Sequence, residues 1–188
     1  MPRRLPILLL LALAANACAR TTSTTTVVML VRHAEKASEA ETDPALSAAG
    51  EARARALAET LADAGVSAVV VTQRRRTGDT AGPLTAARGL VPDTVPIGGP
   101  VAGHAAAVAA RIRARYLGGT VLVVGHSNTV PPIMAALGAR PMPELCDGAY
   151  DQLFILVLRN GVADGLTRAR FGAASPAGGA DCTGMQGR

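Results

Sequence analysis

Two of the three histidines in this chain close short apolar runs. His33 ends TVVMLVRH and His126 ends TVLVVGH. An imidazole so placed can be a nucleophile, a metal ligand or a satisfied core group. Its neighbours decide among these. Arg32 precedes His33, and three arginines, Arg74 to Arg76, follow a third apolar run, SAVVVT. Guanidinium forks match tetrahedral oxyanions in shape and charge. A phosphate held by Arg32, one arginine of the 74–76 run and a protonated histidine would be well neutralised. An unprotonated ring nitrogen beside it could attack phosphorus and form a phosphohistidine. A zinc site has little support, because the chain lacks any H-x-x-x-H or C-x-x-C pair and the adjacent arginines would repel a cation. No metal and no cofactor is expected. His104 follows Gly103 at a helix start and is expected to be a surface or capping residue.

The elements that must position these groups are legible from periodicity. Residues 26–31 (TVVMLV), 67–72 (SAVVVT) and 120–124 (TVLVV) are continuous runs of strand length, as in strands covered on both faces. Residues 46–65 predict a helix capped by Ser47 and closed by Gly65, with Leu46, Ala49, Leu57, Thr60, Leu61 and Ala64 inward and Arg53, Arg55 and Glu59 outward. Residues 77–89 read as a helix interrupted near Pro83, residues 90–99 as a loop with a short edge strand, and residues 105–117 as a helix. Pro131 and Pro132 open a short helix, and residues 153–158 and 166–170 are two late strands joined through Asn160-Gly161. Strands alternating with helices imply one three-layer α/β/α domain around a mostly parallel sheet. Ligands of such sheets bind beyond the carboxyl ends of the strands, where Arg32-His33, residues 72–76 and Gly125-His126 all fall.

These segments resemble the histidine phosphatase superfamily, the phosphoglycerate-mutase-like group, in its branch 1 form. The resemblance rests on RHAE, TQRRRTGDTA and VVGHSNTVP in that order, and extends over residues 27–171. It implies that His33 is the nucleophile and Arg32 the first phosphate-binding arginine. It makes Arg76, four residues before the Thr of the Thr-Ala pair, the second, with Arg74 and Arg75 peripheral. It makes His126 the second histidine, and it puts Ser127 and Asn128 beside the substrate. For Asn128, capping the helix at Pro131 is the alternative. Three positions depart from the family pattern. Ala34 stands where the family has Gly, Thr72-Gln73 where it has Ser-Pro, and residues 77–125 contain no Glu to act as proton donor. Glu35 and Asp93 are the candidate general acids, whereas Asp79 is expected to face away. Asp151 is assigned a structural role.

The remaining composition narrows the function. Aromatics are 2% and Lys36 is the sole lysine, so nucleic-acid binding is disfavoured. MPRR, then an apolar LPILLLLALAA, then ANAC predicts a signal peptide over residues 1–17. Its apolar run is too short to span a bilayer, which takes roughly 20 residues. Cleavage before Cys18 would allow lipidation as in bacterial lipoproteins, and ordinary secretion fits as well. The only membrane contact expected is through that anchor, with the mature protein in the periplasm or cell envelope. Residues 18–26 form a polar tether, 27–171 the domain and 172–188 a loose tail. Cys146 and Cys182 are expected to pair as a disulfide, two free thiols being the alternative. The expected partner is a small phosphorylated substrate, and the expected activity is that of an exported phosphatase. It would cleave a phosphomonoester, phosphoramidate or anhydride. The alternatives are a phosphoglycerate-mutase-type transferase and a non-catalytic phosphoglycan-binding lipoprotein. Oligomeric state is left open.

Overall fold

The computed structural model of the protein describes residues 23–175. Six strands and four helices alternate in it: β1 (Thr25–Arg32), α1 (Ala48–Thr60), β2 (Ala68–Val71), α2 (Arg75–Arg88), β3 (Asp93–Thr94), α3 (Val101–Arg115), β4 (Thr120–Gly125), α4 (Val130–Ala136), β5 (Gln152–Arg159) and β6 (Val162–Arg170). They form one sheet in the order β3-β2-β4-β1-β5-β6. The first four strands in that order are mutually parallel. β5 is antiparallel to β1, and β6 pairs antiparallel with β5.

The continuous apolar runs are explained by helices on both faces of the sheet. Along β1, Val28 and Leu30 pack with Ala105, Val108 and Ile112 of α3 and with Ile133 and Met134 of α4. The alternate residues Met29 and Val31 pack with Leu57 of α1 and with Ala81 and Leu84 of α2. The same alternation holds along β4, where Val121 and Val123 face one layer and Leu122 and Val124 the other. Alternate side chains of a strand point to opposite faces, so a strand buried on both must be apolar throughout. The expected α/β/α layering is therefore the observed one.

Several details differ from expectation. Pro83 does not interrupt α2, which runs through it to a left-handed cap at Gly89. Gly82 explains this, since a residue without a Cβ relieves the clash proline imposes on its predecessor. α3 starts four residues earlier than its alanine-rich core suggests. β6 begins at Val162, directly after an Asn160-Gly161 turn in which both residues have positive φ. That is the type I′ hairpin signature. Thr25 and Thr26 belong to β1 rather than to a tether, and Thr26 is fully buried. At the other end, the chain is tied down beyond Phe171. Ala173 O accepts from Arg53, and the Ser175 hydroxyl accepts from the backbone amides of Tyr150 and Asp151. The signal segment, Cys18 and Cys182 lie outside the described residues. Cys146 is disulfide-bonded. No described helix is long and apolar enough to cross a membrane.

Candidate active site

β1 and β4 are parallel neighbours in a register that pairs Arg32 with Gly125. The residue after each strand therefore emerges at the same height on the same rim. His33 N donates to Gly125 O at 2.9 Å, which locks the two strand ends together. The imidazoles of His33 and His126 consequently meet edge to face, with ring centroids 5.1 Å apart and planes inclined by 63°. Gly125 is required at this point because a Cβ there would lie 2.8 Å from Thr129 Oγ1. That hydroxyl accepts the His126 amide at 2.8 Å and so shapes the turn into α4.

Hydrogen bonding assigns the protons on both rings. His33 Nδ1 lies 2.8 Å from Ala34 O. A carbonyl only accepts, so Nδ1 carries the hydrogen and Nε2 keeps its lone pair. His126 Nδ1 lies 3.4 Å from Arg76 Nη2, and its Nε2 lies 3.2 Å from Thr72 Oγ1. A guanidinium only donates, so Nδ1 accepts and Nε2–H is directed at the threonine. Burial is the main cause that lowers both pKa values. His33 falls to about 4, with the charges of Arg32, Arg76 and Lys36 adding to burial and the Ala34 carbonyl opposing them. His126 falls to about 3, with the charges of His33 and Arg76 adding to burial.

The arginines are oriented by separate devices. Arg76 extends from the first turn of α2, where Asp43 meets its guanidinium at 3.5 Å and leaves its side chain only 17% exposed. Arg32 Nη1 donates to Cys146 O at 2.9 Å and to Asp147 O, and its guanidinium stacks over Tyr150 at 4.2 Å from the ring centroid. The Nε atoms of Arg32 and Arg76 are buried and have no partner among the described residues. A rim with unsatisfied donors suits an acceptor-rich oxyanion. Thr80 ties the two motifs together. Its hydroxyl donates to Arg76 O at 2.7 Å and accepts the Ala34 amide at 2.9 Å.

The cleft at this rim has a volume of about 360 Å³, near the lower end of small-molecule sites. His33, His126, Arg32 and Arg76 line it together, as do Ser127 and Asn128. Asn128 does not cap α4, whose cap position is Thr129. Arg74 also lines the cleft, contrary to its expected peripheral place. Arg75 is exposed and pairs with Asp79 at 3.1 Å.

Neither expected general acid is placed to serve. Glu35 is chelated by Arg53, with Nε 2.9 Å from both carboxylate oxygens and Nη2 2.7 Å from Oε1. Burial pushes its pKa up, but the Arg53 hydrogen bonds and charge outweigh that and hold it below the usual range. Asp93 is bound by Arg111 and by the Tyr116 hydroxyl at 2.8 Å, and it does not line the cleft. Its pKa is likewise lowered, those partners overcoming burial. The carboxylates that do line the cleft are Glu144 and Asp147, on the segment before β5. They fall after His126, beyond the span in which the family pattern places its acid.

Two further expectations are corrected. Arg53 is buried at 5% exposure, because Glu35, Phe171 O and Ala173 O satisfy its guanidinium. Ala49 and Thr60 are exposed in its stead. His104 is buried at 3% exposure and donates from Nδ1 to Pro96 O at 3.2 Å, so it is neither superficial nor a cap. Asp151 is structural as expected. It is 1% exposed and receives Arg170 and the Ser175 amide. Among the described residues no cluster of three His, Cys, Asp or Glu side chains could hold a metal ion.

A parallel-stranded α/β/α domain thus brings two facing imidazoles and flanking guanidiniums to its carboxyl rim, an arrangement that can hold a tetrahedral oxyanion. Residues 28–96 match the model of the histidine phosphatase superfamily (branch 1). The native mycobacterial glucosyl-3-phosphoglycerate phosphatase has the same fold, with TM-score 0.60 and 18% identity over 80% of this chain and 100% of that one. The protein histidine phosphatase SixA, solved with tungstate, gives TM-score 0.61 and 19% identity over 77% and 96% of the two chains. For a putative alpha-ribazole-5'-P phosphatase from Escherichia coli the values are 0.58 and 15%, over 79% and 96%. The mycobacterial enzyme has also been solved with inorganic phosphate and with VO3. No curated protein matches this chain.

Proposed function

We propose that the protein is a phosphatase that hydrolyses a small phosphorylated substrate through a phosphohistidine on His33. The observation that carries this reading is the meeting of His33 and His126 beside Arg76, with the His33 proton held on Nδ1. Nε2 attacks phosphorus, the bond from phosphorus to the leaving oxygen or nitrogen breaks, and the leaving group takes its proton from solvent water. Water then attacks the phosphohistidine, the P–N bond breaks, and inorganic phosphate departs. Arg32 and Arg76 hold the equatorial oxygens where charge builds, and His126 positions the Arg76 guanidinium through its Nδ1. Ser127 and Asn128 face the substrate. Because Glu35 and Asp93 are engaged elsewhere, substrates with good leaving groups, such as phosphoramidates and anhydrides, need least help from the protein.

Acid-quenched labelling tests this. Brief incubation with a 32P-labelled phosphodonor should trap acid-labile phosphate on the wild type and none on His33→Ala. Retention of ligand without label in the wild type would make the protein a binding module instead.

The order of charge, apolar run and small residues before Cys18 supports export with a lipid anchor. The mature protein should then partition with membranes, and Cys18→Ser should release it into the soluble fraction. A Cys18→Ser protein that still sediments with membranes would refute the anchor.

A further inference from the structure

Among the described residues, four cations line the cleft: Arg32, Lys36, Arg74 and Arg76. Three of them have protein partners. Arg32 is held by the Cys146 and Asp147 carbonyls, Arg76 by Asp43, and Lys36 by Glu39. The Arg74 guanidinium has no hydrogen bond or ion pair among the described residues. Its backbone, by contrast, is fixed. The amide donates to Thr72 Oγ1 at 3.2 Å, and the carbonyl accepts the Thr77 hydroxyl at 2.8 Å and its amide at 3.0 Å. The side chain is therefore launched from a rigid point at the strand end, only two residues from Arg76.

No carboxylate among the described residues forms an ion pair with the Arg74 guanidinium, although Glu144 and Asp147 line the same cleft. Burial lowers the Arg76 pKa most, Asp43 opposes that, and the Arg74 charge lowers it further. Two guanidiniums at one rim, one of them without an ion pair among the described residues, favour an arriving anion. Arg32 and Arg76 are the guanidiniums that the proposed mechanism assigns to the transferred phosphoryl group. Arg74 lines the cleft together with Ile97 and Val101. Gln73, its neighbour in sequence, fixes that wall by exchanging hydrogen bonds with the Ile97 backbone at 2.8 and 3.0 Å.

We propose that Arg74 is a specificity-determining residue that binds a second anionic group of the substrate, a carboxylate or a second phosphate a few bonds from the scissile phosphoryl. The preferred substrate is therefore at least doubly anionic. This rests on the reading of the cleft as a phosphatase site.

The test uses two substrate pairs that differ in the second anion alone. One is 3-phosphoglycerate against glycerol 3-phosphate, and the other is fructose 1,6-bisphosphate against fructose 6-phosphate. The wild type should prefer the doubly anionic member of at least one pair by about tenfold or more in kcat/KM, the scale of a charge-assisted hydrogen bond. The pair with the larger preference tells carboxylate from phosphate. Arg74→Gln should collapse that ratio, Arg74→Lys should keep most of it, and Arg75→Gln should leave it intact. The same ratios are read in dissociation constants on the His33→Ala protein, which needs no turnover. A wild type without preference, an Arg74→Gln protein with its ratio unchanged, or no binding of any of the four compounds would overturn the proposal. Absence of label on His33 would overturn the phosphatase reading while the binding ratios still decided the role of Arg74.

Discussion

Each imidazole at the rim has one nitrogen whose role is imposed by a neighbour that can only accept or only donate. Because burial holds the His33 pKa near 4, its Nε2 is unprotonated throughout the neutral range. Once the substrate's own phosphate ionisation at about pH 6 is accounted for, the enzyme's acid limb in kcat/KM should fall well below pH 6.5, and an enzyme limb left at 6.5 would contradict the burial seen here. Thr72 holds the Nε2–H of His126, so Thr72→Val should lower kcat about tenfold while Thr72→Ser restores it. Arg76→Ala should cost at least about a hundredfold in kcat/KM, the magnitude of a lost oxyanion donor. Arg75→Ala should stay within about threefold, since its Asp79 pair is exposed. At this scale the histidines were readable because each follows a strand, and Arg76 only because the family resemblance picks it out of the run. Arg74 was not, because nothing in a run of three arginines tells which side chains reach inward. Glu144 and Asp147 were missed for another reason: their approach depends on the path of an irregular segment that no periodicity reports.

At the scale of elements, α1 works as a brace for the loop that carries His33. Gly50 lies so close to the Glu35 carbonyl that an added Cβ would overlap it. Gly50→Ala should therefore cost about 1–3 kcal/mol in unfolding free energy, as overpacking does, and should lower activity as well. Arg53 grips Glu35 from the same helix. Glu35→Gln should lower stability by about 1–3 kcal/mol but leave the shape of the pH–rate profile unchanged. A lost limb in that profile would return Glu35 to the role of proton donor. The helix itself was legible from its Ser47 cap and leucine spacing, whereas its inward face was misjudged. Hydrophobic periodicity assigns arginine to solvent, and only the tertiary partners Glu35, Phe171 and Ala173 make a buried guanidinium tolerable.

For the whole molecule, two neutral imidazoles buried among cations make stability depend on pH. Both folded pKa values are depressed below the ordinary 6.5, so the unfolded chain takes up protons first as pH falls. Their contribution is fully present above about pH 6.5 and is lost progressively as pH drops through about 4 and 3. Thermal melting from pH 7 to pH 4 should show this decline, His33→Ala should flatten it, and inorganic phosphate should reduce it by favouring the protonated rings. The layering was legible because apolar runs of strand length separated by amphipathic helices admit few other arrangements. The ends of the domain were not, because Thr26 and Ser175 look like linker residues until their hydrogen-bond partners are known.

Thr80 gives the cleft one more property. A single hydroxyl bridges the backbone beside the His33 ring and the backbone of Arg76. The spacing between them is thus set by the protein before any ligand arrives, so oxyanions of different leaving groups meet the same ready-made mould. Selectivity among substrates must then be exercised at the walls outside that mould.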